Sequence, residues 1–189
     1  MQVKSFAIWA NAEKKQVPAL VQSTIKWAND NNLKVYLADR LKSIDVDSEV
    51  SYFSSQNPPE VDFLLCFGGD GTLISGVRIF SDPSVPVLGV HLGGLGFLAQ
   101  ITPEVLTDKL ESVKNNEFKI QDRLVLSAKI SGNEDSFYAV NDFVVQNETS
   151  FRVTSLSLFI DNQHVSDYKS DGIITVSYTH LTLPTICSV

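Results

Sequence analysis

The apolar run Val61-Asp62-Phe63-Leu64-Leu65-Cys66-Phe67 ends on Gly68-Gly69-Asp70-Gly71-Thr72, and Leu73-Ile74-Ser75-Gly76-Val77 follows directly. The run predicts a buried strand and the stretch after it a helix, so the glycines fall at a strand-to-helix junction. Glycine there lets backbone approach a ligand closely and permits positive φ. Amides at the start of the helix favour phosphate. A lone carboxylate among them repels phosphate unless it handles a proton or a metal. Asp70 is therefore expected to act on an acceptor hydroxyl or on magnesium at a phosphoryl-transfer site. The simpler alternative is a glycine turn in which Asp70 caps the helix.

Two other phosphate loops are excluded by spacing. The dinucleotide fingerprint, counted from Gly69 and Gly71, requires glycine where Ile74 stands. Gly71 and Gly76 meet the P-loop spacing, but Val77 and Arg78 occupy the places of its Lys and Ser/Thr.

Similar units surround this junction. Strands are expected at Val3 to Ala10, Leu33 to Ala38, Phe63 to Phe67 and Val85 to Val90. Helices are expected at Pro18 to Asp30, Thr72 to Phe80 and Pro103 to Lys114. Residues 39–60 are polar, end in Pro58-Pro59 and read as a variable connection. The alternation predicts an α/β domain over residues 1–119, with a Rossmann-like parallel sheet covered by helices on both faces.

The pattern changes near Phe118. Leu124 to Ile130, Phe137 to Gln146, Ser155 to Ile160 and His164 to Lys169 read as strands, with turns at Ser131 to Asp135 and Asp161 to Gln163. No helix intervenes, so residues 120–175 are expected to begin an all-β second domain that is incomplete.

Composition narrows the class. The 189 residues are 43% hydrophobic, enough for a substantial core, and the net charge is −7 with no basic block. Nucleic acid and anionic membrane surfaces are therefore not expected as partners. The N-terminal apolar run is too short for a signal peptide, and no stretch reaches the length of a membrane span, which makes the cytoplasm the expected compartment. Of the two cysteines, Cys66 falls in a buried strand and is expected to serve as a small apolar residue. His91, His164 and His180 show no metal-ligand spacing, and no protein metal site is expected.

Three further segments carry candidate chemistry. Gly89-Val90-His91-Leu92-Gly93-Gly94-Leu95-Gly96-Phe97-Leu98 follows a parallel strand, and ligands bind at the carboxyl ends of such strands. It is either a second wall of the ligand crevice or a glycine-rich connection. Asn141-Asp142 interrupts an apolar stretch, so one of the two is expected to be buried on a partner. A ribose or adenine edge would serve, and so would a structural network. Ser170-Asp171-Gly172 reads equally as a turn or a site, and Arg123 either meets a phosphate or pairs with a surface acid.

Taken together, residues 68–72, 92–98, 141–142 and 171–174 resemble the NAD kinase family. Its members carry, in this order, a Gly-Gly-Asp-Gly-Thr loop, a Leu-Gly-x-Leu-Gly-Phe-Leu segment, an Asn-Asp or Asn-Glu pair and an Asp-Gly-Ile/Leu-Ile strand. The resemblance covers residues 1–174. It implies an N-terminal α/β domain and a C-terminal β domain with the site between them. It also implies transfer of the γ-phosphoryl group of ATP to the 2′-hydroxyl of the adenosine ribose of NAD, giving NADP, with Mg2+ or another divalent metal. Asp70 becomes the base or hydroxyl-orienting acid. Gly68, Gly69, Gly71 and Thr72 shape the phosphate loop, and Gly96, Phe97 and Arg123 join the NAD/ATP-binding set. Asn141 and Asp142 hold the dinucleotide, and Asp171 lies near the site or reaches a neighbouring subunit's ligand. A homodimer or homotetramer is implied. Asn is common in the family where this chain has His91.

The first motif is shared with diacylglycerol- and sphingosine-type lipid kinases. Those usually carry Pro-x-Gly-Thr-x-Asn-Asp where Val90 to Gly96 stand here, and no membrane-docking patch is evident. A non-catalytic nucleotide-binding module is the remaining alternative, disfavoured because a pure phosphate binder gains little from Asp70.

The resemblance stops after Ile174, where the family continues into a Thr-Pro-Thr-Gly-Ser loop. Residues 176–189 instead resemble the translation of a transposon-based sequencing adapter. They are expected to be a non-native tail on a truncated chain. The alternative is a genuine C-terminal strand, since the segment is β-branched and rich in threonine.

Overall fold

The structure is a computed structural model, described here for residues 3–80, 84–93, 98–99, 101–147 and 153–177. The chain divides into two compact units, Met1–Asp122 and Arg123–Val189.

In the first unit the continuous apolar runs form the strands β1 (Ser5–Ala10), β2 (Lys34–Ala38), β4 (Phe63–Gly68) and β5 (Val87–His91), with a short edge strand β3 (Ser51–Phe53). All pair in parallel, in the order β3-β2-β1-β4-β5. This is a doubly wound order, with its switch between β1 and β4. β3 falls within residues 39–60, which the sequence reads only as a variable connection. Three residues at a sheet edge, with only Phe53 buried, leave no periodicity to read.

The helices are α1 (Val17–Asp30), α2 (Asp70–Phe80) and α3 (Leu106–Lys114), the last preceded by a 3-10 turn at Pro103–Val105. α2 begins two residues earlier than its sequence pattern predicts. The alternation of β4 decides which helix covers which face. Phe63 stacks on Phe6 at 4.8 Å between ring centroids, and Phe6 meets Trp27 of α1 at 6.5 Å. Trp27 Nε1 donates to Glu111 Oε1 of α3 at 2.6 Å, so α1 and α3 share that face. Leu64 and Cys66 point the other way, onto α2. There a Cβ on Gly76 would stand 3.0 Å from Cys66 Sγ and 3.1 Å from Leu64 Cδ2, so a larger residue would have to push these side chains aside. Phe6, Ile8, Leu37, Leu64, Leu65 and Phe67 are fully buried, each stabilising the fold by about 1.5–3 kcal/mol.

Cys66 lies in this core, and burial pushes its thiol well above the usual range because the thiolate would have to form without water. Since the thiolate is the reactive form, Cys66 should stay unmodified in native protein treated with iodoacetamide at pH 8 and become labelled in denaturant. Peptide mapping by mass spectrometry reads this, and labelling of Cys66 in the native state would contradict the packing.

The second unit is antiparallel throughout its described residues. β6 (Leu126–Lys129) pairs with β7 (Ser136–Ala139), β8 (Asp142–Gln146) with β11 (Gly172–Val176), and β9 (Thr154–Ile160) with β10 (Gln163–Ser170). Asp161 and Asn162, at φ 49° and 64°, make the two-residue β9–β10 turn, where both central residues take positive φ. The single strand expected over residues 137–146 is instead two. β7 and β8 separate at Val140 and Asn141 and serve different partners, which an unbroken apolar run conceals. Among the described residues of this unit only Ala139 is a buried apolar side chain, and Leu124, Val153 and Ile174 are more than 60% exposed.

Candidate functional site

The carboxyl ends of β1, β4 and β5 lie side by side, and the chain leaves each through polar or glycine-rich residues. Backbone bonds tie these exits together: Asn11 N donates to Phe67 O at 3.0 Å, and Leu92 N donates to Gly68 O at 2.9 Å. Gly68 is the register partner of His91. The segments after β1, β4 and β5 thus form one rim at the switch point, where doubly wound sheets take their ligands.

Asp70 is the first residue of α2, and its carboxylate reaches sideways. Oδ1 accepts the backbone N–H groups of Leu98 and Ala99, both at 3.1 Å. The acid therefore joins the Gly-Gly-Asp-Gly-Thr loop to the end of the second glycine-rich segment, as a shared wall would require. Two amides on one oxygen fix the carboxylate's orientation.

The glycines of the loop differ in their reasons. None of Gly68, Gly69 and Gly71 has φ in the left-handed range, so the expected use of positive φ is not realised at these three. A Cβ on Gly68 would fall 2.2 Å from Thr72 Oγ1 and 2.6 Å from Thr72 Cβ, so this glycine is required by the first turn of α2. Gly69 and Gly71 are exposed, and a Cβ on either would meet none of the described residues within 4 Å. Their backbone borders open space on both sides of Asp70.

Beneath the loop, Trp9 Nε1 donates to Ser75 Oγ at 2.9 Å, and Ser75 Oγ donates to Thr72 O at 2.8 Å. The Arg40 guanidinium sits over the Trp9 ring at 4.8 Å. This chain of contacts ties the first turn of α2 to β1. Sequence reading did not single out Trp9 or Ser75, because their bond spans 66 positions. His91, at the tip of β5, has both ring nitrogens buried with no hydrogen-bond partner among the described residues, which is uncommon for buried polar atoms.

Gly96 and Phe97, expected in the binding set, lie outside the described residues. Arg123 is exposed ahead of β6. Asn141 and Asp142 belong to the second unit. Asn141 is half-buried and Asp142 exposed, so the expectation that one would be buried is corrected; Asn141 stands in the break between β7 and β8, and Asp142 is the first residue of β8. Asn141 O accepts Ser177 N at 2.8 Å, and Asp142 is the register partner of Val176. Asp171 is exposed in the turn before β11, and its carbonyl accepts Asn147 N at 3.2 Å. The β8–β11 ladder runs from the Asp142–Val176 pair to the Gln146–Gly172 pair, and Asp171 lies one residue beyond Gly172, so Asp142 and Asp171 stand at opposite ends, about 17 Å apart along the strands. Among the described residues no cluster of three or more His, Cys, Asp and Glu side chains is placed to hold a metal.

A glycine loop carrying a single acid at the switch point of a doubly wound sheet defines a nucleotide-binding type of α/β architecture. Residues 6–118 match the family of the ATP-NAD kinase N-terminal domain, and the chain belongs to that family. The NAD kinase of Syntrophotalea carbinolica is 33% identical over 180 residues, covering 94% of this chain and 63% of that protein. That of Carboxydothermus hydrogenoformans is 29% identical over 175 residues, covering 89% and 61%. The chain thus spans a little over three-fifths of the length of these relatives. Among solved structures, yeast NADH kinase complexed with NADH is similar at a TM-score of 0.78 with 22% identity, covering 93% of this chain and 58% of that one. The NAD kinase of Archaeoglobus fulgidus in complex with ATP is similar at 0.59 with 23% identity, covering 91% and 60%. At these identities the structural likeness concerns the fold.

Proposed function

We propose that this chain carries the phosphoryl-transfer half of an NAD kinase. The enzyme would move the γ-phosphoryl group of ATP to the 2′-hydroxyl of the adenosine ribose of NAD. The observation that carries the reading is the open, exposed backbone of Gly69 and Gly71 on either side of an acid fixed at the switch point. Membership of the family and the names of its relatives support the choice of reaction. An alcohol is a poor nucleophile until it is oriented and begins to lose its proton. Asp70 would accept that proton as the hydroxyl oxygen bonds to phosphorus and the ADP oxygen leaves, while Gly69, Gly71 and Thr72 border the phosphates.

Magnesium fits this site as the companion of the triphosphate rather than as an ion held by a protein cage. One carboxylate at the loop, with no three-ligand cluster among the described residues, suits an ion that keeps water and phosphate as most of its ligands. Bound, it would neutralise charge on the phosphates. Asn141, Asp142, Asp171, Arg123, Gly96 and Phe97 are proposed to contribute to NAD and ATP binding in a cytoplasmic homodimer or homotetramer. No helix among the described residues is long and apolar enough to cross a membrane. Residues 176–189 are proposed to be non-native.

The test is to resequence the source DNA beyond codon 174, express the reading frame it contains and assay NADP formation from NAD and ATP. The expected result is a Thr-Pro-Thr-Gly-Ser-like continuation and NADP formation that depends on ATP and magnesium. ATP and NAD binding without NADP formation would favour the non-catalytic module, and phosphorylation of diacylglycerol or sphingosine would favour the lipid kinase.

A further inference from the structure

The rim of the site carries an acid but needs a positive charge. A triphosphate brings several negative charges toward Asp70, and backbone amides offer only partial positive ones. The described residues hold one cation poised across the rim. Lys14 lies between β1 and α1, in a turn fixed by Lys14 N donating to Asn11 O at 3.1 Å and Glu13 N donating to Asn11 Oδ1 at 3.1 Å. Asn11 N in turn donates to the carbonyl of Phe67, the residue before the end of β4. Although it starts from the β1 exit, Lys14 Nζ stands 3.9 Å from where a Cβ on Gly93 would be, at the β5 exit.

β4 lies between β1 and β5, which puts the two exits about 10 Å apart. The end of β4, the strand that delivers Gly68, Gly69 and Asp70, lies between the exit Lys14 follows and the exit its ammonium reaches. Gly93 has φ +141°, a conformation that side-chain-bearing residues rarely adopt, and it leaves the ammonium room. Lys14 is exposed and makes no ion pair among the described residues; neighbouring Glu13 does not engage it. A long, solvated chain at this rim, paired with no acid among the described residues, is suited to receive an anion from solvent.

We propose that Lys14 is the cation that receives the terminal phosphates of the nucleoside triphosphate at the switch point. The identity of the donor rests on the kinase reading; the anion site itself rests on the geometry of β1, β4 and β5. A compact ammonium with three donors suits the rotating oxygens of a phosphate chain better than it suits a fixed, planar partner. The sequence does not single out Lys14 among fifteen basic residues, because its value depends on the strand order.

The experiment measures equilibrium binding of inorganic tripolyphosphate, ATP, adenosine and NAD to the full 189-residue chain and to its Lys14→Gln and Lys14→Arg variants. Lys14→Gln should weaken tripolyphosphate and ATP in parallel, by about ten- to a hundredfold, the range expected for losing one charged hydrogen-bond donor. Adenosine and NAD binding should not change, and Lys14→Arg should keep most of the affinity because it keeps the charge. An unchanged thermal melt would show that the exposed substitution leaves the fold intact.

Tripolyphosphate affinity in Lys14→Gln within about twofold of the parent chain would overturn the proposal. So would a parent chain that binds ATP no better than adenosine, or a variant that loses NAD alone. Loss of tripolyphosphate binding in a protein whose completed reading frame makes no NADP would leave the anion site standing and remove only the kinase reading.

Discussion

Replacing Asp70 by Asn should lower the rate of NADP formation by about a hundred- to ten-thousandfold while leaving NAD and ATP affinity close to the parent value. The two side chains are nearly isosteric. The structure adds a reason why the comparison is clean. Asp70 Oδ1 accepts the amides of Leu98 and Ala99, and the amide oxygen of Asn can accept the same pair. The wall between the two glycine segments should survive, and only proton acceptance should be lost. Asp70→Ala removes both. It should cost about 2 kcal/mol of stability in addition to the rate, because two amides lose a charged acceptor, and lower Tm by about 4–8 °C. Steady-state assay of the completed protein together with thermal melts of all three forms reads the difference. Near-parent turnover in Asp70→Asn would remove Asp70 from the chemistry and leave it as a loop tie.

Adjacent glycines should give opposite results. Gly68→Ala should destabilise the chain by about 1–3 kcal/mol, since its methyl would overlap Thr72 at 2.2 Å from Oγ1 and Thr72 is a stiff, β-branched residue at the start of α2. The helix start must shift to relieve the overlap, and the Ser75–Thr72 bond shifts with it. Gly69→Ala meets no atom of the described residues within 4 Å and should change stability by no more than about 0.5 kcal/mol. It would instead place a methyl in the space bordering Asp70 and weaken ATP binding. Melting curves paired with ATP titrations separate the two. If Gly69→Ala bound ATP like the parent chain, the open face of the loop would not be where phosphate lies.

How far the sequence reveals this molecule depends on where the information resides. Strands β1, β2, β4 and β5 are legible because a parallel strand covered on both faces must be apolar without interruption, as Phe63 to Phe67 is. Edge strand β3 is not legible, since it buries only Phe53. The division of residues 137–146 into two strands is hidden for a different reason: pairing partners, not residue types, decide where β7 ends and β8 begins. Asp70 stands out from its neighbours alone. Its grip on Leu98 and Ala99 spans 28 and 29 positions and follows from the strand order. The same holds for Lys14 and Gly93.

The hydrogen bond between Trp9 and Ser75 has a spectroscopic consequence. The chain contains two tryptophans, and Trp27 is bonded to Glu111 on the opposite face of the sheet. Trp9 alone is coupled, through one hydroxyl, to the carbonyl of Thr72 in the glycine loop. Any shift of that turn alters the indole's hydrogen bond and its stacking under Arg40, and with them the wavelength at which it emits. The molecule therefore contains an intrinsic optical gauge of its own loop, readable without a label, with Trp27 as an internal reference.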